Sequence, residues 1–355
     1  MHKNIRNWLA LLRTRGLGPI HFHKLLHNDP SLDNLPAIAK DTLSSCKQLI
    51  DQDLLWAAQN DCHIMLFCDD DYPKLLRNIH APPPILFIRG KRRLLDKPQI
   101  AIVGSREASN IGVQTAFKFG KELSDHNIVV TSGLAAGIDA ASHKGALSRG
   151  YTIAVVANGL DIVYPRSHLQ LVEQIVNKGA VISEFPLRTR PLAGHFPRRN
   201  RIISGLAVAV IVIEAAINSG SLITVNHALE QGREVFAVPG SIYDKNVQGC
   251  HKLIKQGAQL VGSIKEVIDA LGFSKAVLNL QKKPDALNCT EARGHLDILQ
   301  STILGSISYE TTSTDLIINR SGISPNIVNS ALVNLELNGY ITSVPGGYTR
   351  LLMEI

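Results

Sequence analysis

The sequence predicts an α/β protein: a doubly wound parallel sheet, preceded by a helical domain and followed by a winged helix. Three observations carry this. From Pro98 onward, short β-branched runs of strand length alternate with helical stretches. The first 75 residues show only short amphipathic helices. Beyond residue 294 the pattern reads helix, helix–turn–helix, hairpin. The length of 355 residues suits two or three domains, and 45% hydrophobic against 19% charged residues supplies a core and excludes global disorder.

The N-terminal helices form around Trp8, Leu9, Leu11 and Leu12, then around Phe22, Leu25 and Leu26. Gly16-Leu17-Gly18-Pro19 between them resembles a helix–hairpin–helix turn, whose backbone N–H groups suit a phosphate; an ordinary tight helix connection explains it equally well. Ala81-Pro82-Pro83-Pro84 is a stiff connector, because proline removes the donors a helix needs. The sheet strands are expected at 100–103, 128–131, 152–157, 180–183, 208–213 and 235–238, with a last short one at 259–261. Each run is almost unbroken apolar, as strands buried on both faces require. Helices are expected at 113–124, 169–178, 222–231 and 264–271. The domains are thus expected at 1–80 (helical), 81–272 (sheet) and 294–355 (winged helix), with 273–293 as a linker. In the last domain Ser324 before Pro325 reads as an N-cap and first-turn pair.

Lys and Arg total 37 and Asp and Glu 30, a formal charge of +7. The excess is +4 in residues 1–100, +4 in 101–272 and −1 in 273–355, so it avoids the winged helix. The longest apolar stretch, 202–217, is interrupted by Ser204, Gly205 and Glu214 and falls short of a membrane span, and the N-terminal apolar run is too short for a secretory leader. Five cysteines (46, 62, 68, 250 and 289) form no CxxC pair, which suits free thiols in a reducing cytoplasm rather than a disulfide frame or zinc site.

Ligands of doubly wound sheets bind beyond the carboxyl ends of the strands. There the sequence places Gly104-Ser105-Arg106, Ser132 to Asp139, Asn158-Gly159, Glu214-Ala215, Ser219 to Thr224 and Pro239-Gly240: small residues that admit an anion to backbone N–H groups. There is no GxxxxGK[ST] and no GxGxxG after the first strand, so neither a P-loop nor a dinucleotide fingerprint is present. The strongest local feature is residues 188–201, an acid-free run with Arg188, Arg190, Arg198, Arg199 and Arg201 around His195 and Phe196, read as a basic loop overhanging the same edge as Arg106. Guanidinium forks suit phosphates, and an aromatic among them suits base stacking. Asp139, Asp161, Glu184, Glu214 and Glu230 could serve a metal-dependent nuclease only if they converged; capping and ion pairing explain them as well. His143, four residues after Asp139, is expected to make a structural hydrogen bond.

Five segments in order resemble the DNA-processing protein A (DprA/Smf) family: Ala101-Ile102-Val103-Gly104-Ser105-Arg106, Ser132-Gly133-Leu134-Ala135-Ala136-Gly137-Ile138-Asp139, Phe196-Pro197-Arg198-Arg199-Asn200-Arg201-Ile202-Ile203, Ser219-Gly220-Ser221-Leu222-Ile223-Thr224 and Val235-Phe236-Ala237-Val238-Pro239-Gly240. The likeness spans about residues 80–270. It implies an extended Rossmann-like fold with a sterile-alpha-motif-like helical domain before it. It further implies a cytoplasmic, non-catalytic protein without cofactor or metal that binds and protects single-stranded DNA, loads the RecA recombinase during DNA uptake and natural transformation, and forms a homodimer through the Rossmann domain. By position the DNA contacts would be Gly104, Ser105, Arg106, Lys144, Phe196, Arg198, Arg199, Asn200, Arg201, Ser219, Gly220, Ser221 and Thr224. The expected recognition helix of the winged helix, 325–338, has no Lys or Arg, so that domain is expected to contact protein or tune the dimer. The competing reading is an enzyme of a related Rossmann-like family that hydrolyses nucleoside monophosphates at a PGGxGT turn followed by a helical Glu. Here Ser219 to Thr224 and Glu230 occupy that place, without the proline and with the glycine pair broken.

Overall fold

The computed structural model describes residues 4–273 and 297–351. Most of the expected linker, 274–293, lies outside them. The chain divides into two compact units, the larger holding most of the residues before 278 and the smaller the C-terminal part.

The larger unit is built on a nine-stranded sheet. Its strands are β1 (Cys62–Leu66), β2 (Ile85–Gly90), β3 (Gln99–Gly104), β4 (Val129–Ser132), β5 (Thr152–Val155), β6 (Ala180–Ser183), β7 (Ala209–Ile213), β8 (Glu234–Ala237) and β9 (Gln259–Leu260), in the spatial order β1-β2-β6-β5-β4-β3-β7-β8-β9. The seven strands from β6 to β9 in that order are all parallel. This is the expected doubly wound sheet. β1 and β2 extend it antiparallel at one edge. Neither was read from the sequence: Cys62-His63-Ile64-Met65-Leu66 is too mixed to stand out, and the apolar run 85–88 of β2 follows directly on the proline connector. The sheet therefore begins at Cys62, well before the domain boundary expected at residue 80.

Helices cover both faces. On one, α5 (Lys74–Arg77), α9 (His195–Leu206), α10 (Ser221–Glu230) and α11 (Gln248–Lys255) pack on Ala101, Val103, Val155, Val210 and Val212. On the other, α6 (Asn110–Asp125), α7 (Ile138–Arg149) and α12 (Ile264–Ala270) cover Ile100, Ile102, Val130 and Ile211. The N-terminal helices α1 (Ile5–Arg13), α2 (Pro19–Asn28), α3 (Ala37–Ser45) and α4 (Lys47–Ala57) share a core with α8 (Leu169–Lys178) and with Phe87, Ala154, Val156 and Val181 of the sheet side. They form a layer of the larger unit, with Trp8 against Phe22 and Trp56 against Phe87.

The smaller unit carries the expected winged-helix layout: α13 (Ile298–Gly305), α14 (Thr314–Ser321), α15 (Pro325–Leu337) and the hairpin β10 (Ile341–Val344) and β11 (Gly347–Arg350). Asp297 and Ser313 cap α13 and α14 with their side chains, and Gly322, in the left-handed region at φ 66°, turns the chain into α15. Ser324 and Pro325 stand at the positions expected, but the Ser324 side chain makes no cap bond. Ile303, Ile317, Val328, Leu332, Leu335 and Ile341 form its core.

One buried polar chain pins α7 to the sheet. Thr152 Oγ1 donates to Val130 O (2.7 Å) and so must accept from His143 Nδ1 (2.6 Å). That fixes the tautomer and leaves Nε2 buried with no partner. Burial first, then the positive charges of His168 and Arg199, pull His143 down to about 3. The bond confirms the structural role expected for His143, with Thr152 rather than Asp139 as partner. Because the unfolded chain takes up this proton near pH 6.5 and the folded one does not, the group stabilises the fold fully above that pH and loses its contribution as the pH falls toward 3. A His143→Gln variant should therefore show a shallower loss of thermal stability between pH 7 and pH 4 than the parent; equal slopes in melting experiments would refute this.

Candidate nucleic-acid interface

The sheet reverses its winding direction at β3, between β4 and β7, and the crevice beyond these strand ends is where such folds bind ligands. Three helices start there. α7 begins after Gly137, at φ 74°, whose missing side chain lets Ser105 and Arg106 carbonyls lie against the helix end; Ile138 N–H donates to Ser105 O at 3.1 Å. α10 begins at Ser221, behind a turn in which Ser219 Oγ and Ser221 Oγ lie 2.7 Å apart. α9 begins at His195. Three positive helix ends thus face one opening.

α9 is the main departure from expectation. Residues 195–201, read as part of a basic loop, form its first two turns. Pro197 sits in the first turn, where a missing N–H costs nothing. The helix hid itself because it is buried all round from Arg199 to Leu206, so it shows no apolar stripe.

Its arginines have different fates. Arg199 is buried: Nη1 donates to Gly133 O (2.5 Å) and Val155 O (2.6 Å), and Nε to Asn200 Oδ1 (3.0 Å). Burial pulls it down to about 10, opposed by Asp139. Asp139, itself pushed up by burial, is held by Arg199 and by Ala135 N–H at 3.2 Å. Arg201 is also buried, donating to Ala81 O and, at 2.5 Å, to Glu184 Oε2. Arg198 is half exposed, 3.3 Å from the same carboxylate and above the Phe185 ring. Arg201 is therefore a structural cation, not the free phosphate contact its sequence suggests. Arg106 is exposed, with its guanidinium 5.4 Å from the Phe196 ring centroid.

These groups enclose a cavity of about 710 Å³ lined by Gly104, Ser105, Arg106, Phe196, Arg199, Asn200, Ser219, Gly220, Ser221 and Thr224 among others. Asn200 Nδ2 reaches Gly220 O at 3.4 Å and joins α9 to the serine turn. A second cavity, about 140 Å³, lies between Leu134, Ala157, Asn158, Tyr164 and Pro165. Arg106, Phe196 and Arg199 line both. Of the thirteen expected contacts, ten line the larger cavity. Arg198 lies at the start of α9 outside it, Arg201 is turned inward, and Lys144 is exposed on α7 away from it. Sequence reading missed Tyr164, whose ring is 6.0 Å from Phe196; an aromatic a few residues after the Asn158-Gly159 turn was the available signal.

The carboxylates do not converge. Glu230 is exposed at the far end of α10 beside His227, away from the cavity, which removes the helical Glu of the nucleotide-hydrolase reading. Among the described residues no three His, Cys, Asp or Glu side chains come together as a metal site, and no helix is long and apolar enough to cross a membrane.

Residues 63–272 match the family described as DNA recombination-mediator protein A, and residues 290–347 match the DprA winged helix domain. Protein Smf of Escherichia coli is 42% identical over 318 residues, covering 88% of this chain and 84% of its own. The X-ray structure of DNA processing protein A from Streptococcus pneumoniae superposes with a TM-score of 0.66 at 37% identity, covering 74% of this chain and 97% of that one. A structure of DNA processing protein A from Helicobacter pylori, described as giving insight into its single-stranded DNA binding mode, superposes with a TM-score of 0.54 at 28% identity, covering 59% and 99%.

The burial pattern separates scaffold from contact. Arg201→Ala leaves the buried Glu184 with only the half-exposed Arg198, at 3.3 Å, and should cost about 3 kcal/mol of stability, the low end for breaking a buried pair. Arg106→Ala should leave the melting temperature unchanged. Equal melting temperatures for both variants would contradict this division.

Proposed function

We propose, for a chain that belongs to the DNA recombination-mediator protein A family and has its role in DNA processing, that the crevice binds single-stranded DNA. The observation that carries this is the position of Arg106. Its exposed guanidinium lies over Phe196 where the two cavities meet, so one group can take a phosphate while the ring beside it takes a base face. Ser219, Ser221 and Thr224 offer hydroxyls, and the ends of α7, α9 and α10 add a field that favours the backbone's negative charge. A duplex buries its base faces; a single strand exposes them to the ring.

The protein binds and protects the strand without making or breaking bonds, and hands it to the RecA recombinase during DNA uptake and natural transformation, in the cytoplasm, as a homodimer joined through the sheet unit. The description of the family as recombination mediators supports this part of the reading. The winged helix contacts protein rather than DNA. Its described residues carry Arg320 and Arg350 against Asp297, Glu310, Asp315 and Glu336, and α15 exposes Ile327, Val333 and Leu337.

Fluorescence anisotropy with labelled oligothymidylate should show tighter binding than to duplex, with affinity falling by roughly 0.7 log units per log unit of salt for each phosphate neutralised. Arg106→Ala should weaken binding about tenfold or more, as loss of a charged contact does. A flat salt response, or release of bases or shortened DNA by the purified protein, would overturn the reading. Asn329→Glu on the exposed face of α15 should leave the affinity within about twofold, since that face meets no phosphate.

A further inference from the structure

The two cavities account for only a few nucleotides, and the crevice does not end at Phe196. Tyr164, 46% exposed, stands beside that ring, 6.0 Å between centroids, and walls the smaller cavity. Beyond it two loops lie side by side. One carries Arg166, two residues after Tyr164. The other, residues 186–190, carries Arg188 and Arg190. Gly159 N–H donates to Thr189 O (2.9 Å), and both oxygens of Asp161 accept from Arg188 N–H (2.9 and 3.0 Å). A side chain on Gly159 would collide with Pro186 O and Arg188 N, so the loops touch backbone to backbone.

This loop is held firmly for a surface segment. Arg188 sits in the left-handed region at φ 65°, a conformation a non-glycine residue keeps only when its surroundings impose it. Asp53, buried and paired with Arg13 at 2.6 Å, brings the N-terminal helical layer near the Leu187 N–H of this loop. Yet the three guanidiniums it and its neighbour display are all exposed, and none forms an ion pair among the described residues. The nearest acid, Asp161, spends its oxygens on backbone. The opposite rim of the crevice offers Lys245 against Glu107 and Asp244, no comparable excess. A rigid loop that keeps its cations unpaired, next to an exposed tyrosine in line with Phe196, has the chemistry of a phosphodiester track with a second stacking platform.

We propose that the DNA strand leaves the Arg106–Phe196 site across Tyr164 and continues along Arg166, Arg188 and Arg190, so that these residues are a second, sequence-independent subsite. The proposal rests on the single-strand reading above and extends it. Asp161 is a positioning residue in it: it holds the loop and touches no DNA.

The test compares oligothymidylates of about 5 and about 20 nucleotides, lengths on either side of a few-nucleotide site. Arg188→Gly suits the left-handed backbone and removes the charge without strain; it is combined with Arg190→Ala. The double variant should bind the long strand about tenfold more weakly, with a salt slope lower by about 1.4 for two lost phosphate contacts, and bind the short strand as the parent does. Tyr164→Ala should weaken the long strand about tenfold and Tyr164→Phe should not, because the ring and not the hydroxyl stacks. Melting curves equal to the parent's confirm intact folding. If both the double variant and Tyr164→Ala bind the long strand normally while Arg106→Ala weakens both lengths, the track is wrong and the primary site stands. Equal weakening of both lengths by the double variant also overturns the track. If Arg106→Ala changes neither length, the primary reading falls and the track with it.

Discussion

Two buried guanidiniums hold the crevice together. Arg199 bonds the carbonyls that follow β4 and end β5, and Arg201 bonds the carboxylate that follows β6 and a carbonyl of the proline connector. Four separate chain segments are tied to one helix by side chains two residues apart. Desolvating an arginine costs several kcal/mol unless carbonyls and a carboxylate replace its water, so the arrangement exists only if Gly133, Val155, Glu184 and Ala81 are all in place at once. That mutual requirement sets α9 at one depth and one rotation. Phe196, in its first turn, is the outward product: a ring held at the junction of two cavities by a helix that these buried cations anchor.

The same constraint changes what the charge of the chain means. A formal +7 with five arginines in residues 188–201 looks like an electrostatic surface for a polyanion. Two of the five are spent inside the fold, and a third shares Glu184. The positive character of the opening comes instead from Arg106, from three helix ends, and from the loop arginines on the rim. Helix ends act at short range through oriented N–H groups, whereas free guanidiniums act at long range and steer a strand toward the opening. Shape and orientation are thus assigned to the buried charges, and capture to the exposed ones.

Much of this was legible in the sequence, for definite reasons. The parallel strands announced themselves because burial on both faces demands unbroken apolar runs, and six of them fell within a few residues of their observed bounds. Gly104 and Gly137 were readable because close backbone approach excludes larger residues. β1 was not, since an edge strand tolerates mixed composition. α9 was misread because periodicity reports an amphipathic surface, and a helix buried on all sides has none. The inward turn of Arg201 was also invisible: its partner Glu184 is seventeen residues away and Ala81 a hundred and twenty, and no local pattern encodes either.

The helical layer at the N-terminus follows from the same logic. Taken as a domain of its own, its purpose would be obscure. As a layer of the sheet unit it contributes Asp53, almost fully desolvated and paired with Arg13, close to the Leu187 N–H. Burial pushes the Asp53 carboxyl up while Arg13 opposes the shift, so this buried pair is an expensive one. Under Phe196 the buried Arg201–Glu184 pair anchors α9, and under Arg188 the hydrogen bonds of Asp161 and Gly159 fix the backbone. Anchoring of this kind gives a physical reason for spending polar groups on the scaffold of a protein whose ligand is itself charged. Free arginines alone would bend to each other's repulsion and to salt, whereas arginines mounted on a clamped backbone keep their spacing and let the strand find a fixed register of phosphates.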